Sequence, residues 1–130
     1  DERKRVRDAL ASVGLSGKEP RLPHQLSGGE RQRAAFARVL LEDRPVLLLD
    51  EPFASLGPSL RLEMMELLAK MQEAKARTIL AVTHHPQEWR DVANSFVFVD
   101  EGRILASGAM AEIQKPALPD SVRTYLGTNR

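Results

Sequence analysis

At 130 residues, with 19 Lys and Arg against 18 Asp and Glu, the chain is one domain's worth of sequence with almost no net charge, which argues against a nucleic-acid tail. It has no cysteine, which excludes a disulfide framework and a thiolate metal site, and no apolar run approaches the roughly 20 residues of a membrane-spanning helix. Nothing at the start resembles a signal peptide, and an opening on Asp1 rather than methionine is what a fragment or processed piece would show.

Residues 1–13 set charged side chains around Val6, Leu10 and Val13, a spacing that predicts a solvated amphipathic helix with Arg3, Lys4, Arg5 and Arg7 on its wet face. Glycine and proline recur from Gly14 to Pro23 and predict a loop. A second helix is expected from Gly28 to about Glu42. The run Val46-Leu47-Leu48-Leu49, between Pro45 and Asp50-Glu51-Pro52, predicts a strand buried on both faces. Pro58 suits the first turn of a long amphipathic helix reaching about Lys75, and Thr78 to Thr83 predicts the next buried strand. Strand, helix and strand in that order imply a parallel crossover. A short helix is expected near Gln87 to Ala93, then a hairpin of Phe96–Val99 and Arg103–Ala106 around Asp100-Glu101-Gly102, then closing helices at Met110–Lys115 and Ser121–Leu126. The class is α/β. Two central strands with a hairpin at the edge make an incomplete sheet.

In Leu26-Ser27-Gly28-Gly29-Glu30, Ser27 and Glu30 form a capping box, in which each side chain satisfies a backbone amide of the other residue. Many helices begin so, but few spend two glycines in the first turn, where each costs up to about 1 kcal/mol relative to alanine. Bare glycines let an anion approach the exposed amides, and the helix dipole favours negative charge there. These residues describe a phosphate-binding helix start. They resemble the signature motif of ATP-binding cassette (ABC) ATPases, with glutamate in its variable last place, and Arg31, Gln32 and Arg33 resemble the polar residues that follow it. The resemblance implies that Ser27, Gly28, Gly29 and Glu30 serve ATP held by the opposite subunit of a dimer.

A strand ending in two adjacent carboxylates presents both at the C-terminal edge of a sheet, where α/β proteins place ligands. Pro52 and the residues before Pro58 put Asp50 and Glu51 too far from the next helix to cap it. One carboxylate can hold Mg²⁺ while its neighbour polarises a water for attack on a γ-phosphate. The run resembles the family's Walker B motif, which implies Asp50 on the metal side and Glu51 as catalytic base. Ser55-Leu56-Gly57 resembles the D-loop, with Gly57 where the family usually has aspartate, a departure that bears on coordination between two active sites. His84, after the second strand, matches the H-loop, where a neutral histidine can donate to a γ-phosphate oxygen. His85 falls where many members carry aspartate and has no assigned role; His24 reads as a loop residue and Trp89 as packing.

The sequence contains no G-x-x-x-x-G-K-S/T phosphate loop, so the resemblance, which runs from about Gly14 to Leu126, covers roughly half of a usual cassette. It implies a partial P-loop NTPase-type parallel sheet with flanking helices, residues 1–44 belonging to the ABC helical subdomain and 45–130 to the catalytic core. It further implies ATP and Mg²⁺ as cofactors, a second cassette (a homodimer), transmembrane permease subunits and a periplasmic or extracellular solute-binding protein as partners, and a peripheral place on the cytoplasmic face of a membrane. No nucleic-acid partner is expected. The short end after Gly108, expected to lack a C-terminal regulatory domain, together with Phe98-Val99-Asp100-Glu101-Gly102-Arg103-Ile104, is similar to ATP-binding subunits of thiamine importers. Two other readings stand beside the importer ATPase: a soluble, non-transport ABC ATPase, which tends to carry long coiled-coil insertions, and a non-enzymatic fragment that completes a partner's ATP site.

Overall fold

The computed structural model describes residues 1–114 and 117–126, and the chain divides into two units, Asp1–His84 and His85–Arg130. In the first unit, helix α1 (Glu2–Ser12) is capped by Asp1, whose carboxylate accepts from the Arg3 amide at 3.1 Å. Its far end is a Schellman motif: Gly14, at φ +72°, donates to Ala11 O and Leu15 donates to Leu10 O. A Cβ at Gly14 would stand 2.8 Å from Nη1 of Arg33, and that same guanidinium nitrogen donates to the carbonyls of Val13 and Gly14. The helix end and the chain's next helix are thereby tied together, over the fully buried Val13 and Leu15.

Helix α2 (Gly28–Glu42) runs over the expected residues and buries Phe36 and Ala37. It stops at Asp43, which adopts the left-handed conformation (φ 46°, ψ 45°). The Asp43 carboxylate accepts from Lys75 Nζ and Arg77 Nη2, each at 2.7 Å, and those two cations hold its pKa below the usual carboxylate value. Strand β1 (Val46–Asp50), helix α3 (Pro58–Ala74) and strand β2 (Thr78–Val82) follow. The strands pair in parallel, with Val46 opposite Thr78 through to Asp50 opposite Val82.

The strands are not buried on both faces as their composition predicted. Leu47 and Leu49 are buried, whereas Leu48 is 75% exposed and Leu80 is 63% exposed. Only one face of the parallel pair is covered among the described residues, and an apolar run carries no information about which of its two faces has a neighbour. The hairpin does not extend the parallel pair; β3 (Ser95–Asp100) and β4 (Arg103–Ala109) form a separate antiparallel sheet in the second unit. Its turn is Glu101-Gly102, both at positive φ, the geometry of a two-residue hairpin loop, and an irregularity at Phe98/Val99 leaves Leu105 as the extra residue on β4.

The helix expected at Gln87–Ala93 is instead a 3₁₀ turn, Pro86–Trp89, since so few residues between a proline and a strand cannot recover the cost of nucleating an α-helix. Met110–Glu112 is likewise a 3₁₀ turn, with Lys115 outside the described residues, and α4 spans Asp120–Tyr125. Trp89, Phe96, Met110, Ile113 and Val122 are buried in this unit, while Phe98 meets Phe96 and Tyr125 edge-on.

Candidate functional site

The capping box expected at the start of α2 is formed. Ser27 is extended, its Oγ accepts from the Glu30 amide at 3.1 Å, and Glu30 Oε2 accepts from the Ser27 amide at 3.0 Å. The other Glu30 oxygen pairs with Lys18 Nζ at 3.1 Å. The Ser27 amide first and Lys18 second hold the Glu30 carboxyl below its ordinary value. The box consumes the amides of residues 27 and 30. The first-turn amides of Gly28 and Gly29 have no partner inside a helix, so they are the donors such a start can offer to an anion.

The two glycines have different roles in packing. A Cβ on Gly28 would meet nothing within 4 Å, so nothing in the chain itself demands a glycine there. A Cβ on Gly29 would come within 3.1 Å of Leu56 Cδ2 and 3.6 Å of the Ser55 carbonyl oxygen. Gly29 therefore also lets the segment after β1 approach the helix.

Asp50 ends β1 on the same open face as Val46 and Leu48, exposed. Glu51, the next residue, has φ +44°, a conformation a glutamate rarely adopts. Both of its backbone polar groups are held: its amide donates to Val82 O at 2.9 Å, and its carbonyl accepts from Gln32 Nε2 at 3.3 Å. Its side chain reaches Nε2 of His84 with Oε1 at 3.5 Å, longer than a good hydrogen bond. That Oε1 atom is shielded from solvent and has no hydrogen-bond partner among the described residues. A carboxylate oxygen without a hydrogen bond beside an exposed histidine, at the C-terminal edge of two parallel strands, is a place where a water can donate to the carboxylate and the histidine can donate to a phosphate oxygen.

The segment from Pro52 to Gly57 folds back on α2. Phe53 is buried and meets Phe36 edge-on (ring centroids 5.2 Å apart, 85° between planes), the Ser55 amide donates to Gln32 Oε1 at 3.0 Å, and Leu56 is buried. Gly57 is the N-cap of α3 at φ −65°, ψ 162°, ordinary for any residue, and a Cβ there would meet nothing within 4 Å. The backbone does not require a glycine at this position.

Among the described residues no three His, Asp or Glu side chains gather as a self-sufficient metal cage. The single exposed carboxylate of Asp50 suits an ion such as Mg²⁺, which keeps waters and phosphate oxygens and takes only one or two carboxylates from protein. Sequence reading singled out Ser27 to Glu30, Asp50, Glu51, Ser55 to Gly57 and His84, but it left Gln32 and Lys18 without a task. The clue for Gln32 is its position one turn beyond Gly28, on the side of α2 that the segment after β1 approaches.

Residues 1–54 match a family model described as ABC transporter. The chain is 51% identical to the thiamine import ATP-binding protein ThiQ of Mesorhizobium japonicum, an alignment covering 98% of this chain and 51% of that one. It is 50% identical to the ThiQ of Brucella abortus, over 100% of this chain and 54% of the relative, and 42% identical to that of Vibrio vulnificus, over 95% and 53%. The chain thus spans about half the length of the curated relatives it matches. In fold it is similar to a bacterial Atm1-family ABC exporter solved with ATP bound, at a TM-score of 0.75 and 24% identity, over 96% of this chain and 23% of the exporter. That likeness and the parallel pair agree with a partial P-loop NTPase-type α/β fold.

Proposed function

We propose that this chain belongs to the ABC transporter ATP-binding family and is the C-terminal half of a cassette that couples ATP hydrolysis to import of thiamine. In this reading residues 1–44 are part of the helical subdomain and residues 45–130 part of the catalytic core. Two cassettes close around two ATP molecules, docked on permease subunits at the cytoplasmic face of a membrane, with a solute-binding protein on the far side. The observation that carries the reading is Glu51: a strained backbone anchored at both polar groups, presenting to His84 at 3.5 Å a buried carboxylate oxygen that has no hydrogen-bond partner among the described residues. Glu51 is the general base that orients and deprotonates the attacking water, and His84 donates to the phosphate oxygen on which charge accumulates. Asp50 would hold Mg²⁺, which when bound offsets the charge of the phosphates. Ser27, Gly28 and Gly29 bind the γ-phosphate of the partner's ATP through the α2 start, where Glu30 fixes the cap, and Ser55, Leu56 and Gly57 form the D-loop against the same helix. The thiamine assignment rests on the ThiQ relatives, at up to 51% identity over nearly the whole chain.

The test uses complete cassettes carrying this sequence. A Glu51→Gln subunit mixed with a Gly28→Asp subunit leaves one site with both defects and the other with neither. Partial ATPase activity in the mixed dimer, with each homodimer nearly inactive, is the expected result. If the mixture is as inactive as its parents, each residue serves only its own subunit's ATP and the proposed composite site fails.

A further inference from the structure

We infer that Gln32 is a positioning residue that couples the phosphate-binding start of α2 to the conformation of Glu51, a step that rests on the hydrolytic reading above. Its side-chain amide bridges two points of the neighbouring segment, donating to the Glu51 carbonyl at 3.3 Å and accepting from the Ser55 amide at 3.0 Å. Glu51 sits at φ +44°, where a residue with a side chain persists only if its surroundings hold it. Val82 supplies one of the two anchors, from the strand ladder, and that anchor is common to any strand end. Gln32 supplies the other, from α2.

The helix that carries Gln32 begins at Gly28, one turn earlier, and the bridged segment passes so close to Gly29 that a Cβ there would crowd Leu56. A shift of the α2 start on engaging an anion is therefore carried by one rigid turn of helix to the peptide that aims the Glu51 carboxylate. In a dimer in which α2 serves the partner's ATP and Glu51 serves the subunit's own, this bridge joins the two sites through a single chain. It does so without the aspartate that Gly57 replaces.

Gln32→Met removes both hydrogen bonds at similar length, and Gln32→Glu keeps the acceptor for Ser55 while losing the donor to Glu51. In a complete cassette with its permease partners, both variants are expected to lower kcat for ATP about tenfold or more, with KM for ATP and the melting temperature little changed. In a Glu51→Gln background the same substitutions are expected to have no further effect on the residual rate, since the group they position is gone. The inference is overturned if kcat is unchanged in both variants, if the loss follows a fall in melting temperature, or if it persists in the Glu51→Gln background. If Gln32→Met does not fold, Gln32→Glu carries the same test. Absence of any Glu51-dependent hydrolysis in the cassette with native Gln32 overturns the hydrolytic reading itself, and this inference with it.

Discussion

Glu51 Oε1 and His84 Nε2 face each other at 3.5 Å, one residue beyond the end of β1 and two beyond the end of β2, so the parallel pairing of Asp50 with Val82 is what brings them together. The histidine side chain is 80% exposed, whereas the facing carboxylate oxygen is buried. One side of the pair can meet a ligand while the other stays aimed.

From this arrangement, three substitutions in a complete cassette should separate three roles. Glu51→Gln keeps the shape and removes the base, so ATP-bound dimers should accumulate while turnover falls by about 10²–10⁴-fold. His84→Ala should lower turnover with little effect on ATP affinity. Asp50→Asn should instead weaken the Mg²⁺ dependence of ATP binding. Binding and turnover titrations against Mg²⁺ check this, and three identical profiles would remove the division of labour.

Gly57→Asp should be tolerated and slightly stabilising. The N-cap of α3 has no side-chain hydrogen bond, its dihedral angles suit any residue, and the added side chain meets open space. Aspartate gains about a few tenths of a kcal/mol over glycine at an N-cap. Denaturant unfolding measures it, and a clear loss of stability would show that the start of α3 requires glycine.

Acid sensitivity should fall when Glu30 is neutralised. The Ser27 amide and Lys18 hold its folded-state pKa below the ordinary 4.5, so its charge stabilises the fold above that value. That contribution is lost as pH falls through the depressed folded-state value. Glu30→Gln can still accept from Ser27 but carries no charge. Its deficit in melting temperature relative to wild type should be present near about pH 6 and shrink toward about pH 3. A deficit that does not change with pH would assign Glu30 to hydrogen bonding alone.

Produced by itself, the 130-residue chain should bind a hydrophobic dye or self-associate, because Val46, Leu48, Leu80 and Val82 are all more than half exposed on the parallel pair. Calorimetry with Mg·ATP should show no micromolar binding, since the sequence holds no glycine-rich phosphate loop. A monodisperse monomer that ignores the dye, or stoichiometric tight ATP binding, would contradict these expectations.

Local chemistry determined much of this protein from sequence alone. The bounds of α2 follow from a capping box and two glycines at one end, and the hairpin turn from Glu101-Gly102; such features act between residues no more than a few positions apart. The adjacency of Asp50 and Glu51 at a strand end was legible for the same reason. Only the tertiary structure decided that the strands are covered on one face, since Leu47 and Leu48 are chemically alike and differ only in what lies opposite them. It also decided that the hairpin strands pair only with each other, and that Asp43 clamps Lys75 and Arg77. The task of Gln32 was hidden in the same way: its partners lie 19 and 23 residues along the chain, and a hydrogen bond across that separation leaves no periodicity or spacing to read.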